Sequence, residues 1–176
     1  RAMAASPDGL SQFMDGTIPQ EQLLFLDKAA PVIAWLLSPL KRHEQLHYAA
    51  VLNAGKASSF IKPDFGAEPA FDRFLVCVEG RGDTKEERLD VGMGPACVIS
   101  PPEVNGFADL LSGITEESLR GALDYKAMDE AHLPVDYWEE EGDRNFDEYI
   151  LPLFRKLQSH YAAAAAHGHH VLVWWH

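Results

Sequence analysis

The chain has 176 residues and a mass of 19.6 kDa, with 47% hydrophobic and 24% charged residues. That is the size and balance of one globular domain that buries its core without disulfide staples or structural zinc, and it excludes a collagen-like, disordered or membrane-embedded chain. Asp and Glu number 27 against 15 Lys and Arg, for a net charge of −12 and a pI near 5.0; such a field repels a phosphate backbone and excludes nucleic-acid binding through a basic surface, while it leaves a basic protein partner open.

Ser6-Pro7 opens a short helix carrying Leu10, Phe13 and Met14. Leu26, Ala30, Ile33 and Leu37 then step at helical spacing behind Asp27 as N-cap. The longest apolar stretch, Leu23 to Leu40, is broken by Asp27, Lys28, Pro31 and Pro39 and makes no membrane span. No signal-peptide pattern is recognised. Ser38-Pro39 ends one helix and starts the next, which runs to about Asn53 with Gly55 beyond it. A loop is expected over 57–70, a strand over Phe74-Leu75-Val76-Cys77-Val78, a polar turn from Gly80, and a second strand over Ala96-Cys97-Val98-Ile99. Cys77 and Cys97 are too few for a cysteine-rich zinc site or a disulfide scaffold. Their apolar surroundings predict buried, reduced thiols and a reducing, cytoplasmic compartment.

Ser100-Pro101-Pro102-Glu103 is a capping box with Pro at N1, opening a helix with Val104, Phe107 and Leu111 that Gly113 closes. Thr115-Glu116-Glu117 starts another helix and Asp124 caps a third. The longest helix follows Asn145, with the stripe Phe146, Tyr149, Ile150, Leu153, Leu157, Tyr161 and Ala164; Pro152 inside it predicts a kink. Gly168 ends that helix, and 170–175 reads as a strand buried on both faces. The sum is an α/β chain: one layered domain, a small mixed sheet flanked by about six or seven helices.

Several segments, in this order, carry a resemblance. They are Leu26-Asp27-Lys28-Ala29 with the apolar helix to Leu37, Gly66-Ala67-Glu68-Pro69, and Leu89-Asp90-Val91-Gly92-Met93-Gly94-Pro95-Ala96 running into Ser100-Pro101-Pro102-Glu103-Val104. Ile114-Thr115-Glu116-Glu117-Ser118-Leu119-Arg120 follows, then Met128, Pro134, Trp138, Phe154-Arg155-Lys156-Leu157, Tyr161-Ala162-Ala163 and a strand after Gly168. The ordered set resembles the YfbM-like domain, a bacterial family of unknown function. The resemblance implies a single α/β domain over residues 1–176 and brings no activity and no catalytic residues. Two departures stand out. Arg1-Ala2-Met3-Ala4 replaces the family's opening Gly- and Met-rich strand, and Met93 takes the place of an aromatic. Residues 40–62 match poorly, so chemistry there would be this protein's own.

Two segments offer sites. His43-Glu44-Gln45-Leu46-His47 fits the pattern in which two histidines one helical turn apart share a zinc and Glu44 polarises the bound water. A third ligand is required, with Glu68 or a C-terminal histidine as candidates. Against zinc stand the missing Gly-x-x-His continuation, the cations Lys41 and Arg42, and a shared face with Leu40, Ala50 and Val51. The histidines at 160, 167, 169, 170 and 176 suit a helix C-terminus without any metal. Asp143-x-Asn145-x-Asp147 lacks the Gly and the closing Glu of a calcium loop, and Arg81-Gly82-Asp83 is a turn.

The second segment runs from Asp136 to Glu148 and gathers Asp136, Glu139, Glu140, Glu141, Asp143, Asp147 and Glu148 against Arg144 alone, half of the net charge. Its bland reading is a solvated acidic loop. Its sharper reading is a docking face for a basic partner, with Tyr137 and Trp138 as aromatic contacts, although Trp138 also falls on a family position and suits a core anchor. The expectation is a non-enzymatic, acidic cytoplasmic protein without a cofactor that binds a basic protein through Asp136, Tyr137, Trp138, Glu139, Glu140, Glu141 and Asp143, as an immunity or effector-accessory protein would. The alternative is a small zinc hydrolase with Glu44 catalytic and His43, His47 and Glu68 as ligands.

Overall fold

The computed structural model describes residues 22–53, 73–80, 89–90, 95–135 and 137–173. In chain order these form α1 (Ala29–Leu37), α2 (Pro39–Asn53), α3 (Arg73–Glu79), β1 (Leu89–Asp90), β2 (Pro95–Ile99), α4 (Pro101–Ser112), α5 (Glu116–Arg120), α6 (Tyr125–Glu130), α7 (Trp138–Asn145), a π turn (Phe146–Ile150), α8 (Leu151–His167) and β3 (Val171–Val173). Asn145, Phe146, Ile150 and Leu151 all keep right-handed helical angles, so α7, the π turn and α8 are one continuous rod. Seven helical rods thus flank the sheet among the described residues. The strands lie in the order β1-β2-β3 with both pairings antiparallel. Cys97 pairs with Val173 and Ile99 with Val171, and Cys97, Ile99 and Val171 are buried, so one face of this short sheet belongs to the core.

The core is organised by a helix that is apolar all round. Ala29, Ala30, Val32, Ile33, Ala34, Trp35 and Leu36 of α1 are all buried, as expected of a helix inside a domain. Elsewhere in the core α4 packs along α8. Val104, Phe107 and Leu111 join Phe154, Leu157 and Tyr161 in the core cluster, where the Phe107 and Tyr161 rings meet edge to face at 6.0 Å. The ends of these helices follow local chemistry. The Ser100 backbone and hydroxyl donate to Glu103 Oε2 at 3.0 and 2.6 Å. Ser118 N donates to Thr115 Oγ1 at 3.1 Å, and Ala127 N to Asp124 Oδ1 at 3.0 Å. Gly168, at φ +64°, closes α8 in the left-handed conformation that glycine adopts at no steric cost.

Four expectations need correction. The run Phe74 to Val78 is helix α3 and not a strand. Leu75, Val76, Cys77, Val78 and Glu79 are buried in succession, so the run shows no period by which helix and strand could be told apart. Gly80 ends this helix at φ +62° with its N–H on Val76 O, and a Cβ there would lie 3.1 Å from Cys97 Cβ and 3.2 Å from Val173 Cβ. The missing side chain is what lets the helix end meet the sheet. Asp27 is not the N-cap of α1: Lys28 holds that position, and the Asp27 carboxylate accepts from Tyr149 Oη at 3.3 Å. The helix expected after Asn145 begins at Trp138, so the acidic segment is helical in its main part. The strand near the C-terminus, described over Val171–Val173, is not buried on both faces: Val171 is buried, while Leu172 and Val173 are half-buried, and 174–175 lie outside the described residues.

Just ahead of Pro152, where a kink is expected, the helix carries the π turn. Leu151 N–H donates to Phe146 O, five residues back, which inserts one extra residue before the proline. Pro152 follows directly on that turn, in the second position of α8. Strand β1, two residues long, was not anticipated. The expected helix near Leu10, the loop over 57–70 and the turn after Gly80 lie outside the described residues. No described helix is long and apolar enough to cross a membrane.

Candidate functional site

The acidic segment is held from below by Trp138. Its side chain is fully buried and stacks on Tyr125, with ring centroids 6.5 Å apart and planes 13° from parallel. Gly142 brings the helix still closer to this ring, since a Cβ there would lie 2.5 Å from Tyr125. Asp129 of the α6 helix accepts the backbone N–H groups of Trp138 at 3.0 Å and Glu139 at 2.8 Å, capping α7 from outside it. Glu139, Glu140 and Glu141 occupy the first turn, where negative charge complements the helix dipole. The clustering of acids therefore has a local cause as well as a possible use.

The carboxylates of this segment divide into two sets. Glu141 pairs with Arg144, and Asp147 with Arg120, which also pairs with Glu116 at 2.9 Å. Asp143 accepts from Tyr125 Oη at 2.7 Å. Burial, with this bond second, pushes the Tyr125 phenol up to about 12. Glu139 and Glu140 are exposed, and no ion pair within the described residues engages them. Beside them Tyr137, the N-cap residue, sits at φ +67° with 65% of its surface exposed. The structure thus brings Tyr137, Glu139 and Glu140 to one outward helix start and turns Trp138 inward, as the core anchor. Asp136 lies outside the described residues.

The histidine motif sits on α2. The inward side of that helix is taken by the neighbours the motif was weighed against. Lys41 Nζ lies 2.6 Å from Glu79 Oε1 in a pair whose side chains are only 12% and 2% exposed. Arg42 Nε donates to Trp35 O at 3.0 Å, satisfying a carbonyl near the end of α1, and Gln45 Nε2 donates to Ala131 O at 3.2 Å. His43 and His47 are exposed and Glu44 is half-buried. Among the described residues no group of three or more His, Cys, Asp or Glu is placed to hold a metal ion, and Glu68 lies outside them. At the far end of α8, the His167 and His169 rings stack at 5.4 Å, and His167 Nδ1 lies 2.8 Å from Ala163 O.

A third feature was not visible in the sequence. A cavity of about 430 Å³ lies between residues 24–27, α1, α3, α8 and β3, with Cys77, His160 and Tyr161 among its lining. Tyr161 Oη donates to Cys77 O at 2.8 Å, and burial raises its phenol well above the ordinary range. Burial likewise holds the half-buried His160 imidazole below its ordinary value. Both cysteines are buried, Cys77 on a helix and Cys97 on β2.

The model of a domain of unknown function, DUF1877, matches residues 6–174, in agreement with the YfbM-like resemblance. No curated protein and no solved structure matches the chain.

Proposed function

The chain belongs to the DUF1877 family, and from that premise we propose a non-enzymatic cytoplasmic binding protein, one domain over residues 1–176, that docks a basic protein partner on the acidic start of α7. It would act as an immunity or effector-accessory protein acts, by covering a cationic surface. The observation that carries this reading is the exposed set Tyr137, Glu139 and Glu140, without ion pairs among the described residues, on a helix start that Trp138 and Asp129 hold in place. A rigid platform lowers the ordering cost of association. An exposed phenol ring among carboxylates suits Lys and Arg side chains by cation–π contact as well as by charge. Glu141 and Asp143, engaged within α7 and with Tyr125, extend the negative field, and Asp136 adds to its charge.

The test is capture from the source cell on the immobilised chain, followed by association kinetics on what is captured. Steering by charge weakens as the Debye length falls from about 10 Å at 0.1 M to about 3 Å at 1 M salt. Replacing Glu139, Glu140 and Glu141 with Gln is expected to slow association more than it speeds dissociation, and Tyr137→Ala to speed dissociation. Association indifferent to salt and to the triple change would overturn the reading.

A further inference from the structure

Two recesses open side by side along α8. The larger, of about 430 Å³, falls in the range of small-molecule pockets, roughly 300–1,000 Å³. Its walls are apolar, with Leu26, Ala30, Val78, Leu157, Val171 and Val173 among them, and Phe25, 62% exposed, also lines it. The smaller, of about 380 Å³, is lined by Leu23, Leu24, Arg155, Lys156, Ser159 and His160. Leu24 and His160 line both, so the recesses meet at these two side chains.

The charges are divided between them. Asp27 is the one carboxylate among the lining residues; it belongs to the larger recess and accepts from Tyr149 Oη. The smaller recess holds the cations. Arg155 is spent on Glu116 at 2.7 Å, and the Ser159 hydroxyl donates to Arg155 O at 3.0 Å. Lys156 is not spent: no hydrogen bond or ion pair within the described residues engages its ammonium. His160 stands four residues on, the spacing that makes helix neighbours, and its ring nitrogens also lack a hydrogen-bond partner within the described residues. In a protein of net charge −12, an unengaged cation beside a hydrogen-bonding ring at the mouth of an apolar cavity is a specific arrangement. It is complementary to an apolar chain ending in an anion.

We propose that these two recesses bind a fatty monocarboxylate, its chain in the larger recess and its carboxylate between Lys156 and His160 in the smaller. With Arg155 paired to Glu116, the Lys156 ammonium supplies one positive charge, which matches a single negative charge rather than a phosphate dianion. The head group is excluded from the larger recess by Asp27 and received at the smaller one by charge-assisted hydrogen bonds. This site is independent of the acidic start of α7.

The test is calorimetric titration of the full chain with octanoate, decanoate and dodecanoate below their micellar concentrations, with decanol as the uncharged probe. Each added methylene that enters the larger recess is expected to tighten binding about fourfold, until the recess is full. Decanoate is expected to bind more tightly than decanol. Lys156→Gln, on an exposed side chain that does not support the core, is expected to weaken decanoate about three- to fivefold and leave decanol unchanged. Decanoate is also expected to move the His160 ring resonances in the NMR spectrum, in the wild type and in the variant. Absence of decanoate binding at millimolar concentration would overturn the proposal, as would an affinity that does not change with chain length. Decanol binding as tightly as decanoate, with Lys156→Gln indifferent to both, would overturn it too.

Discussion

Helices α2 and α7 each carry a cluster that looks functional in the sequence, and they dispose of it in opposite ways. On α2 the suggestive residues, His43 and His47, face water, while Lys41, Arg42 and Gln45 are drawn into the fold by Glu79, by the end of α1 and by Ala131. On α7 the aromatic Trp138 goes inward and the acids Glu139 and Glu140 stay outside. The difference lies in what the buried side supplies. The inward face of α2 carries the polar groups Lys41, Arg42 and Gln45 beside Leu40 and Ala49, and works as a joint between helices. The inward face of α7 is a tryptophan stacked on Tyr125, which leaves its charged side at liberty to meet a partner.

The sharpest way to break this contrast is Trp138→Ala. A fully buried indole removed from the core is expected to cost about 3–5 kcal/mol, read as a lowered midpoint in denaturant unfolding. Next comes the joint on α2. Lys41→Met takes a cation away from the buried Glu79 and is expected to cost about 3 kcal/mol in the same experiment. Gly142→Ala tests how tightly α7 is pressed onto Tyr125. The overpacking is expected to cost about 1–3 kcal/mol, partly offset by the roughly 1 kcal/mol that alanine gains over glycine in a helix, with a net loss in thermal stability. The smallest effect belongs to His43→Ala and His47→Ala, which are expected to stay within about 0.5 kcal/mol of wild type and to leave partner capture unchanged.

Features that depend on neighbouring residues were legible in the sequence. The Ser100 and Glu103 box, the Thr115 and Asp124 caps and the Gly168 stop are each made by groups within a few residues of one another, so the pattern states the geometry. The α8 stripe was legible for the same reason: its period is helical. Burial from every side erases that signal, and α3 was misread because five successive buried residues carry no period. The acidic cluster was visible as composition, but its division was not. Which of Tyr137 and Trp138 turns inward depends on Tyr125 and Asp129, and the Lys41–Glu79 pair joins two helices separated in the chain. The cavity beside α8 is assembled from four stretches that have no sequence relation, so no local pattern announces it.

The π turn has a further meaning in terms of helical phase. A residue added to or removed from an α-helix rotates everything beyond it by about 100°, so the extra residue between Phe146 and Ile150 sets the azimuth of α7 relative to α8. Deleting one residue there would turn Trp138 away from Tyr125 and bring part of the acidic side toward the core. The orientation of the surface proposed to meet a partner is therefore fixed by a single insertion about two turns away from it.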